Sequence, residues 1–470
     1  MSSKSPSVSL RMTDAHHTQL YQLLFLPDGK ESAAILLCTR RAGKNHHRLL
    51  VREVHAIDSE FYSYRSEDQL SWSTDCLEAL LEKAEQDSLS VVKVHSHPKG
   101  RASFSEIDDE SDRKLMPAIR GWVEADIPHV SAIMLPDGQI FGRVLWKEND
   151  FEPLDCVAVS GADLRFWYAN SGSTSIGDFA ASHAQAFGQG TTERLRRLSV
   201  AVVGCSGTGS PVIEQLARLG VGELVLVDDD HVEERNINRI LNSTMSDAQE
   251  RVPKAEMAAD SVRRIGLGTP VHVLSQNLWS REAIEAVAEC DVVFGCMDSL
   301  EGRFLLNTLT TYYTLPYFDL GVRLDAVPEG VNRGEIREVC GTVHYLQPGL
   351  SSLMSRGLVD MNQVQAEGLQ RTDPQAYKQQ VEDGYISGVE EHRPAVISVN
   401  MLLASLAVND FLARLHPYRE EPNSAIASIA VSLSSTEFFV DPEEEPCSML
   451  QNFVGKGDCS PLLGIMEFVG

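Results

Sequence analysis

The chain has 470 residues, of which 43% are hydrophobic and 23% are charged, and its formal net charge is −26 at pH 7. This length exceeds one ordinary hydrophobic core, so we expect two or three domains. The acidic balance disfavours nonspecific binding to nucleic acid or to an anionic membrane surface.

The sequence gives two indications of the compartment. No segment reaches the roughly 18 unbroken apolar residues of a membrane helix, and the first ten residues lack an apolar signal core. The nine cysteines are odd in number and scattered without disulfide or metal spacing, which is typical of a reducing compartment. We therefore expect a cytoplasmic protein with no membrane partner and no nucleic-acid partner.

The first 150 residues predict a mixed α/β domain. Two β-strands are predicted at 33–39 and 49–57, and apolar residues at helical spacing predict a helix within 75–88. The apolar strand "SVVKV" follows and leads into the segment "HSHPKGRASFSEIDDESD". A helix near 110–125 and a strand pair with a turn at 136–138 complete the prediction.

The segment after this strand combines residues of metal-binding type. His95 and His97 stand at i and i+2, so they point the same way from a strand end, and Asp108 in the next element can complete the set. Three protein ligands with one open position describe a catalytic zinc site. A bland alternative exists, because Ser105 and Asp108 also have capping-box spacing and a lone His-x-His pair is usually surface decoration.

The complete pattern resembles the JAMM (JAB/MPN) metalloprotease signature. The resemblance implies that the two histidines and Asp108 bind Zn²⁺ and that Ser105 helps to stabilise the oxyanion. It also implies a general base, a glutamate on an upstream strand. Glu31 in "ESAAILLC" fits that context, and Glu53 in "VREVHA" is the alternative.

The pattern of alternating elements weakens after residue 150. Residues 151–190 include the linker-like patch "NSGSTSIG". We therefore predict a domain over 1–150, a linker and lead-in segment over 151–190, a second domain over 191–420, and C-terminal strands with a tail over 421–470.

A second chemical stretch begins at residue 198. It contains, in order, an apolar strand at 198–203, glycines at Gly204, Gly207 and Gly209, apolar residues at helical spacing, and a strand at 224–227 that ends on Asp228. This order is that of a dinucleotide-binding βαβ unit, with the helix N-terminus directed at phosphate and the acid placed for a ribose hydroxyl. Taken alone, it fits an NAD-dependent oxidoreductase, but Ser206 replaces the middle glycine of that fingerprint.

The residues that follow narrow the prediction. In order they are Asp228, Asp230, Asn236, Asn238, Arg239, Lys254 and Asp298. Over roughly residues 185–420 this order resembles the ThiF/MoeB-type adenylyltransferases, the fold of ubiquitin-activating enzymes. The resemblance implies a Rossmann-like domain with a mainly parallel sheet, with ATP and Mg²⁺ as cofactors. The residues predicted to contact the nucleotide are Gly204, Gly207, Gly209, Asp228, Asp230, Asn236, Arg239 and Lys254.

The implied chemistry explains these residue types. Members of the family bring a protein's C-terminal carboxylate close to the α-phosphate of ATP. The two groups are both negatively charged and repel each other. Arg239 and Lys254 would neutralise the phosphates, Asp298 would hold Mg²⁺ and Asp228 would bind the ribose, so positioning and electrostatics dominate. Taken singly, Arg239 could instead be a surface ion-pair partner, Lys254 a solvated helix residue and Asp298 a strand-end cap.

Two family features are missing or unassigned. Relatives that form a thioester keep a cysteine on a crossover loop, whereas the segment "PGLSSLMSRG" has none. The remaining candidates are Cys340, Cys447 and Cys459, although a free cysteine is more often a buried small hydrophobe. The arginine that crosses a dimer to ATP in relatives is not evident, and the possible substitutes are Arg194, Arg196 and Arg197.

Later segments predict the rest of the second domain. Strands are expected at 316–321 and 341–346, a polar loop with a helix at 355–390, and an apolar helix at 394–415 that covers the sheet or forms a homodimer face.

Together the two resemblances imply one partner. A JAMM domain cleaves bonds at the C-terminus of ubiquitin-like proteins, and a ThiF-type domain activates that same C-terminus. We expect a ubiquitin-like or sulfur-carrier protein with a C-terminal glycine, and a conjugating enzyme as a further partner. A bacterial antiphage conjugation pathway is the preferred setting. The alternatives are sulfur-carrier activation for cofactor biosynthesis, an NAD-dependent oxidoreductase and a scaffold with decayed sites.

Overall fold

The computed structural model describes residues 6–123, 126–146, 150–170, 188–326, 335–382 and 396–468. The chain forms two compact units. The first unit consists of Met1–Ser173, Tyr312–Thr314 and Phe453–Gly470, and the second consists of Thr174–Thr311 and Leu315–Asn452.

The first unit is built on a mixed sheet. Its strands are β1 (Ser7–Thr13), β2 (Ala33–Ala42), β3 (His46–Ala56), β6 (Ser90–Ser96), β7 (His129–Met134), β8 (Ile140–Leu145), β9 (Phe151–Pro153), β10 (Cys156–Ser160) and β11 (Leu164–Tyr168), in the spatial order β11-β10-β1-β3-β2-β6-β7-β8-β9. A separate hairpin joins β4 (Tyr62–Arg65) and β5 (Leu70–Trp72). The helices are α1 (Asp14–Leu24), α2 (Glu78–Gln86) and α3 (Glu106–Trp122).

The residues of β2 show how this sheet separates two apolar cores. Successive side chains of a strand point to opposite faces. Ala34 and Leu36 accordingly lie in one buried cluster, whereas Ala33 and Ile35 lie in another. The strand therefore needs apolar residues in an unbroken run, which explains why the sequence around 33–39 predicted it.

The first unit extends further than the sequence indicated. We expected a linker over 151–190, but β9, β10 and β11 all belong to the first sheet. The run "CVAVS" of β10 is fully buried because β10 pairs in parallel with β1 at the start of the chain. The first domain therefore does not end at residue 150. The "NSGSTSIG" patch itself lies largely outside the described residues.

The second unit contains an eight-stranded sheet. Its strands are β12 (Ser199–Val203), β13 (Glu223–Val227), β14 (Val271–Leu274), β15 (Val292–Gly295), β16 (Tyr317–Ala326), β17 (Ile336–Leu346), β18 (Ser428–Ser432) and β19 (Glu437–Asp441), in the order β14-β13-β12-β15-β16-β17-β18-β19. The strands from β14 to β16 are parallel, and the remaining pairings are antiparallel. This is the predicted Rossmann-like α/β architecture, with an antiparallel extension.

Helices follow the strands of this second sheet. They are α4 (Gln189–Leu195), α5 (Gly209–Leu219), α6 (Met245–Glu250), α7 (Lys254–Ile265), α8 (Arg281–Ala288), α9 (Leu300–Tyr312), α10 (Met361–Thr372), α11 (Pro374–Glu382) and α12 (Ile397–Leu415). Helix α12 is long and apolar enough to span a membrane, but 61% of its most apolar window is buried and it contacts α5, β16 and β17. These contacts are those of a core helix that covers the sheet.

The last fifty residues are divided between the units. We expected one C-terminal segment over 421–470, but β18 and β19 extend the second sheet, whereas Phe453–Gly470 belongs to the first unit. The backbone of Asp458 donates to Arg40 O at 2.9 Å, and its carboxylate accepts from Ala42 N at 2.8 Å. A local sequence pattern does not reveal a contact across more than 400 residues.

Candidate functional site

The metal-type residues of the first unit meet at the end of β6. His95 belongs to this fully buried strand, and His97 follows it, with its amide donating to Met134 O at 3.0 Å. Helix α3 begins just after Ser105 and brings Asp108 to the two histidines. The ligand atoms of His95, His97 and Asp108 all lie within 4.8 Å of one another.

The distances and partners in this cluster fit a cation such as zinc. His95 Nε2 lies 3.0 Å from Asp108 Oδ1 and 3.2 Å from His97 Nε2. His97 Nδ1 lies 2.7 Å from Arg101 O, so a proton on Nδ1 would leave Nε2 as the ligand atom. This backbone partner is the usual second contact of a metal-binding histidine. Two imidazoles and one carboxylate form a common catalytic zinc set.

Electrostatics in the cluster favour an ionised carboxylate. Burial alone would raise the pKa of Asp108, but hydrogen bonds from His95 and His97 outweigh burial and hold the pKa far below its usual range. Burial lowers the pKa of His95. For His97, burial alone would lower the pKa, but the hydrogen bonds with Asp108 and Arg101 O and the charges of Asp108 and Glu31 together outweigh burial and raise the pKa.

Ser105 caps helix α3, as its spacing to Asp108 predicted. Its backbone amide and its hydroxyl donate to Asp108 Oδ2 at 2.6 and 2.7 Å, and Asp108 N donates to Ser105 Oγ at 3.1 Å. The cap therefore fixes the orientation of the carboxylate that faces His95 and His97.

Glu31 is the glutamate that lies beside this cluster. Its Oε1 is 3.9 Å from His97 Nε2, and burial raises its pKa to about 7. Glu53, the alternative, forms contacts with His55 Nε2 at 2.9 Å and with Lys83. Because Glu53 is committed to these partners, the structure favours Glu31.

Two arginines that the sequence analysis did not identify support the cluster. Arg65, beside the tip of the β4–β5 hairpin, donates to Glu31 O at 2.8 Å and to Ser32 Oγ at 2.6 Å. Arg143 on β8 donates to Asp108 O at 3.3 Å and to both carboxylates of Asp109 and Asp112. Its guanidinium lies 3.8 Å from the ring centre of Phe104 and 4.6 Å from that of Phe151. No motif marks either arginine, because each acts through residues distant in sequence.

In the second unit, the glycine turn lies where β12 ends and α5 begins. Gly204 has a φ of +92°, and an added Cβ would lie 2.6 Å from Cys296 O. Only glycine fits this left-handed position so close to backbone. Asp228, at the end of β13, accepts from Cys205 N at 2.6 Å and from Asp230 N at 2.9 Å. Burial raises the pKa of Asp228.

The predicted phosphate and magnesium residues surround the same edge of the sheet. The buried Lys254 donates to Asp230 Oδ2 at 2.7 Å. Arg239 donates to Arg235 O at 2.7 Å. Asp298 is exposed and lies between β15 and α9. Because β12 and β15 are parallel neighbours, Asp298 follows a strand end beside the glycine turn.

Asn236 has a mainly structural contact. Its Oδ1 accepts from Glu233 N at 3.0 Å and caps a short 3₁₀ turn at Glu234–Asn236. The side chain is buried, so its predicted nucleotide contact remains a prediction.

The candidate cysteines occupy different surroundings. Cys340 is partly buried in β17, and burial raises its pKa. Cys447 is buried, with its amide donating to Leu350 O at 3.0 Å, and Cys459 lies in the tail of the first unit. Low thiol pKa and exposure mark reactive cysteines, whereas the pKa of Cys340 is raised and Cys447 is buried.

The segment that corresponds to a crossover loop is held by side-chain contacts. Arg356 donates to Ser351 Oγ at 2.8 Å and to Glu443 Oε1 at 3.2 Å. Of the candidate dimer-crossing arginines, Arg194 donates to Leu415 O at 2.9 Å. Residues 181–187, where that arginine is expected, lie outside the described residues.

The sequence matches the ThiF family over residues 180–432, more than half of the chain. The protein therefore belongs to the ThiF family. Residues 13–150 match prokaryotic homologues of the JAB domain, so the chain is a fusion of a JAB domain with a ThiF domain. This membership favours adenylation over nicotinamide chemistry.

Characterised relatives match parts of this chain. Ubiquitin-like modifier-activating enzyme 5 of Culex quinquefasciatus is 26% identical over 275 residues, 55% of this chain and 66% of that protein. SAMP-activating enzyme E1 of Haloferax volcanii is 40% identical over 129 residues, 27% of this chain and 46% of that protein. The chain thus spans less than two thirds of the length of either relative. The crystal structure of E. coli MccB with MccA-N7isoASN is 18% identical, covering 59% of this chain and 76% of that one with a TM-score of 0.45.

Proposed function

We propose that the second unit adenylates the C-terminal carboxylate of a ubiquitin-like or sulfur-carrier protein in an ATP-dependent reaction. The observation that carries the proposal is the arrangement at the carboxyl edge of the parallel strands. There the glycine turn after β12, Asp228 after β13 and Asp298 after β15 follow three adjacent strands. Ligands of open α/β sheets bind at this edge.

In this reaction a carboxylate oxygen of the partner attacks the α-phosphorus of ATP. One phosphorus–oxygen bond forms, the bond to the β-phosphate breaks, and pyrophosphate leaves with the electron pair. Lys254 and Arg239 would stabilise the charge on the phosphates, and Asp228 would accept from the ribose hydroxyl. Mg²⁺, held by Asp298, would add positive charge at the phosphate oxygens.

We propose further that the first unit is a zinc peptidase that acts on the same partner. His95, His97 and Asp108 would hold Zn²⁺, which acidifies a water molecule and polarises the scissile carbonyl. Glu31 would accept a proton from the water and return it to the leaving amine. The Ser105 hydroxyl, which donates to Asp108 Oδ2 in the structure, would turn to donate to the developing oxyanion.

The preferred setting of this proposal is a bacterial ubiquitin-like conjugation pathway in antiphage defence. In this setting the protein is a cytoplasmic homodimer that passes its partner to a conjugating enzyme. Sulfur-carrier activation for cofactor biosynthesis is the second candidate, since that chemistry requires no cysteine in the segment "PGLSSLMSRG".

One mixture tests the adenylation and separates these settings. The protein is mixed with ATP, Mg²⁺ and a small ubiquitin-like protein that ends in glycine, and intact masses are recorded without reducing agent. A thiol-sensitive adduct supports conjugation, and a partner that carries AMP without an adduct supports sulfur-carrier activation. If native protein forms neither product, the proposed adenylation is contradicted.

The peptidase activity needs its own substrate. The same partner, extended by several residues beyond its glycine, is incubated with zinc-loaded protein. We expect cleavage after the glycine, and the variants His97→Ala and Glu31→Gln are expected to abolish it. Cleavage by both variants at the rate of native protein would contradict the proposed zinc site.

A further inference from the structure

The side-chain amide nitrogen of Asn400, on helix α12, is buried and unsatisfied among the described residues. The residue is 2% exposed. Its Nδ2 has no hydrogen-bond partner within the part of the chain that the structure describes. Buried donors in native proteins are almost always satisfied, and each exception calls for an explanation. An acceptor on a bound ligand would be such an explanation.

The unpaired amide lies against the glycine turn. A Cβ added at Gly207 would lie 2.3 Å from Asn400 Nδ2 and 3.5 Å from the Cδ of Arg239. A side chain at this position would have to push the Asn400 amide aside. Asn400, Gly207 and Arg239 thus converge from three separate segments.

The surroundings favour an anion as the missing acceptor. Helix α5 begins at Gly209, two residues after the contact, so the N-terminal end of its dipole lies beside the amide, although Ser210 N already donates to Ser206 O and Val212 N to Thr208 O. The positive end of the helix dipole and the Arg239 guanidinium both attract negative charge. A neutral amide donor added to this set has the chemistry of a phosphate-binding group.

We propose that Asn400 Nδ2 donates a hydrogen bond to a phosphate oxygen of the bound nucleotide. The C-terminal helix of the second unit thereby supplies a nucleotide-binding residue in addition to those on the turn and on α7. This inference rests on the proposed adenylation, since it requires that the turn binds a nucleotide phosphate.

The test compares nucleotide affinity with the stability of the nucleotide-free protein. The variant Asn400→Leu removes the donor and retains the approximate volume of the side chain. We expect its Kd for ATP with Mg²⁺, measured by calorimetry, to rise about tenfold or more, whereas the Kd for adenosine is unchanged. We expect the Tm without nucleotide to stay constant or rise, because an unsatisfied buried donor has been removed.

Asn409 provides a matched control on the same helix. It is exposed, and its Nδ2 donates to Ser405 O at 2.8 Å. Asn409→Leu is expected to leave the Kd for ATP unchanged. If Asn400→Leu does not fold, Asn400→Ala and Asn400→Asp provide the same comparison, and the aspartate should weaken ATP binding most because it places a carboxylate beside phosphate.

The outcomes separate this inference from the proposed function. Native protein that binds ATP, with Asn400→Leu binding it equally well, would overturn the inference and leave the adenylation intact. A lower Tm without nucleotide and an equal loss of ATP and adenosine affinity would identify a structural amide. Native protein that binds no ATP would overturn both.

Discussion

Glu31 and His97 form a buried pair, with Oε1 and Nε2 3.9 Å apart and each side chain 6% exposed. Burial raises the pKa of Glu31 to about 7, against the opposing effect of His97. A carboxylate with this pKa can accept and return a proton near neutral pH, which is the property of a general base.

The raised pKa predicts a pH dependence of stability for the zinc-free protein. The folded state favours protonated Glu31, so its contribution to the free energy of unfolding is fully present below the ordinary glutamate pKa of 4.5. That contribution is lost as pH rises through about 7. We expect the Tm of native protein minus that of Glu31→Gln to fall across this window, in thermal melts with chelator.

Glu53 is the control of opposite sign. Burial alone would raise its pKa, but hydrogen bonds from Lys83 and His55 lower it. Its contribution to the free energy of unfolding is therefore present above the pKa that Glu53 has in the unfolded chain. It is lost as pH falls through the pKa that Glu53 has in the folded protein. A Tm difference for Glu31→Gln that does not vary with pH would contradict the raised pKa.

Loss of a metal ligand should remove zinc binding. We expect His97→Ala to weaken zinc affinity by more than about a hundredfold, since loss of an outer partner alone costs about 10–100-fold. Competition with a chromophoric chelator measures this change. His55, which contacts Glu53 at 2.9 Å, lies outside the cluster, so His55→Ala should bind zinc as native protein does.

Arg143 is expected to position Asp108. Without its contacts to Asp108 O, Asp109 and Asp112, the first turn of α3 loses its anchor. We expect Arg143→Ala to weaken zinc binding by about 10–100-fold, and Arg143→Lys to restore little, because lysine lacks the planar fork. Lys114, in an exposed ion pair on the same helix, is the control. Native zinc affinity in Arg143→Ala would refute this role.

Arg65 is expected to affect turnover rather than metal binding. It donates to Glu31 O and to Ser32 Oγ, and within the described part of the chain no hydrogen bond or ion pair joins it to His95, His97 or Asp108. We expect Arg65→Ala to lower kcat by about 10–100-fold, because a misplaced base transfers protons poorly. Zinc affinity should stay constant. A fall in zinc affinity equal to that of Arg143→Ala would show a general structural role instead.

Lys254 is expected to be essential for adenylation. Its ammonium group is the buried cation on α7 and pairs with Asp230. We expect Lys254→Ala to reduce ATP–pyrophosphate exchange by about 100–1,000-fold, the effect of removing one preorganised group that stabilises charge. Arg263→Ala, which removes an exposed ion pair on the same helix, should retain full exchange. Full exchange by Lys254→Ala would disprove the phosphate role.

The sequence indicated which side chains lie together better than it indicated the domain boundaries. The proximity of His95, His97 and Asp108 could be expected because strand alternation and a helix cap are local rules. The βαβ unit at residues 198–228 was likewise predictable from local periodicity.

The features that the sequence did not predict depend on distant parts of the chain. Strand β10 is a strand because β1, about 150 residues earlier, lies beside it. Asp458 contacts the β2 end for a similar reason. Arg65 and Arg143 could not be selected because their partners belong to other elements. Strand alternation does place Lys93 on the same face of β6 as His95. The sequence therefore weakly indicated that Lys93 lies on the side of the sheet where it contacts Asp112.

The division of the first unit among three chain segments has a consequence for biosynthesis. Its last segment, Phe453–Gly470, emerges from the ribosome only after the whole second unit. At about 5–20 residues per second, this delay lasts roughly 15–60 s. During that interval the nascent sheet lacks the contacts that the tail makes with β2 and β3. The first unit to be translated is therefore the last to be completed, and the unit that contains His95, His97 and Asp108 gains its final contacts after the second unit has been synthesised.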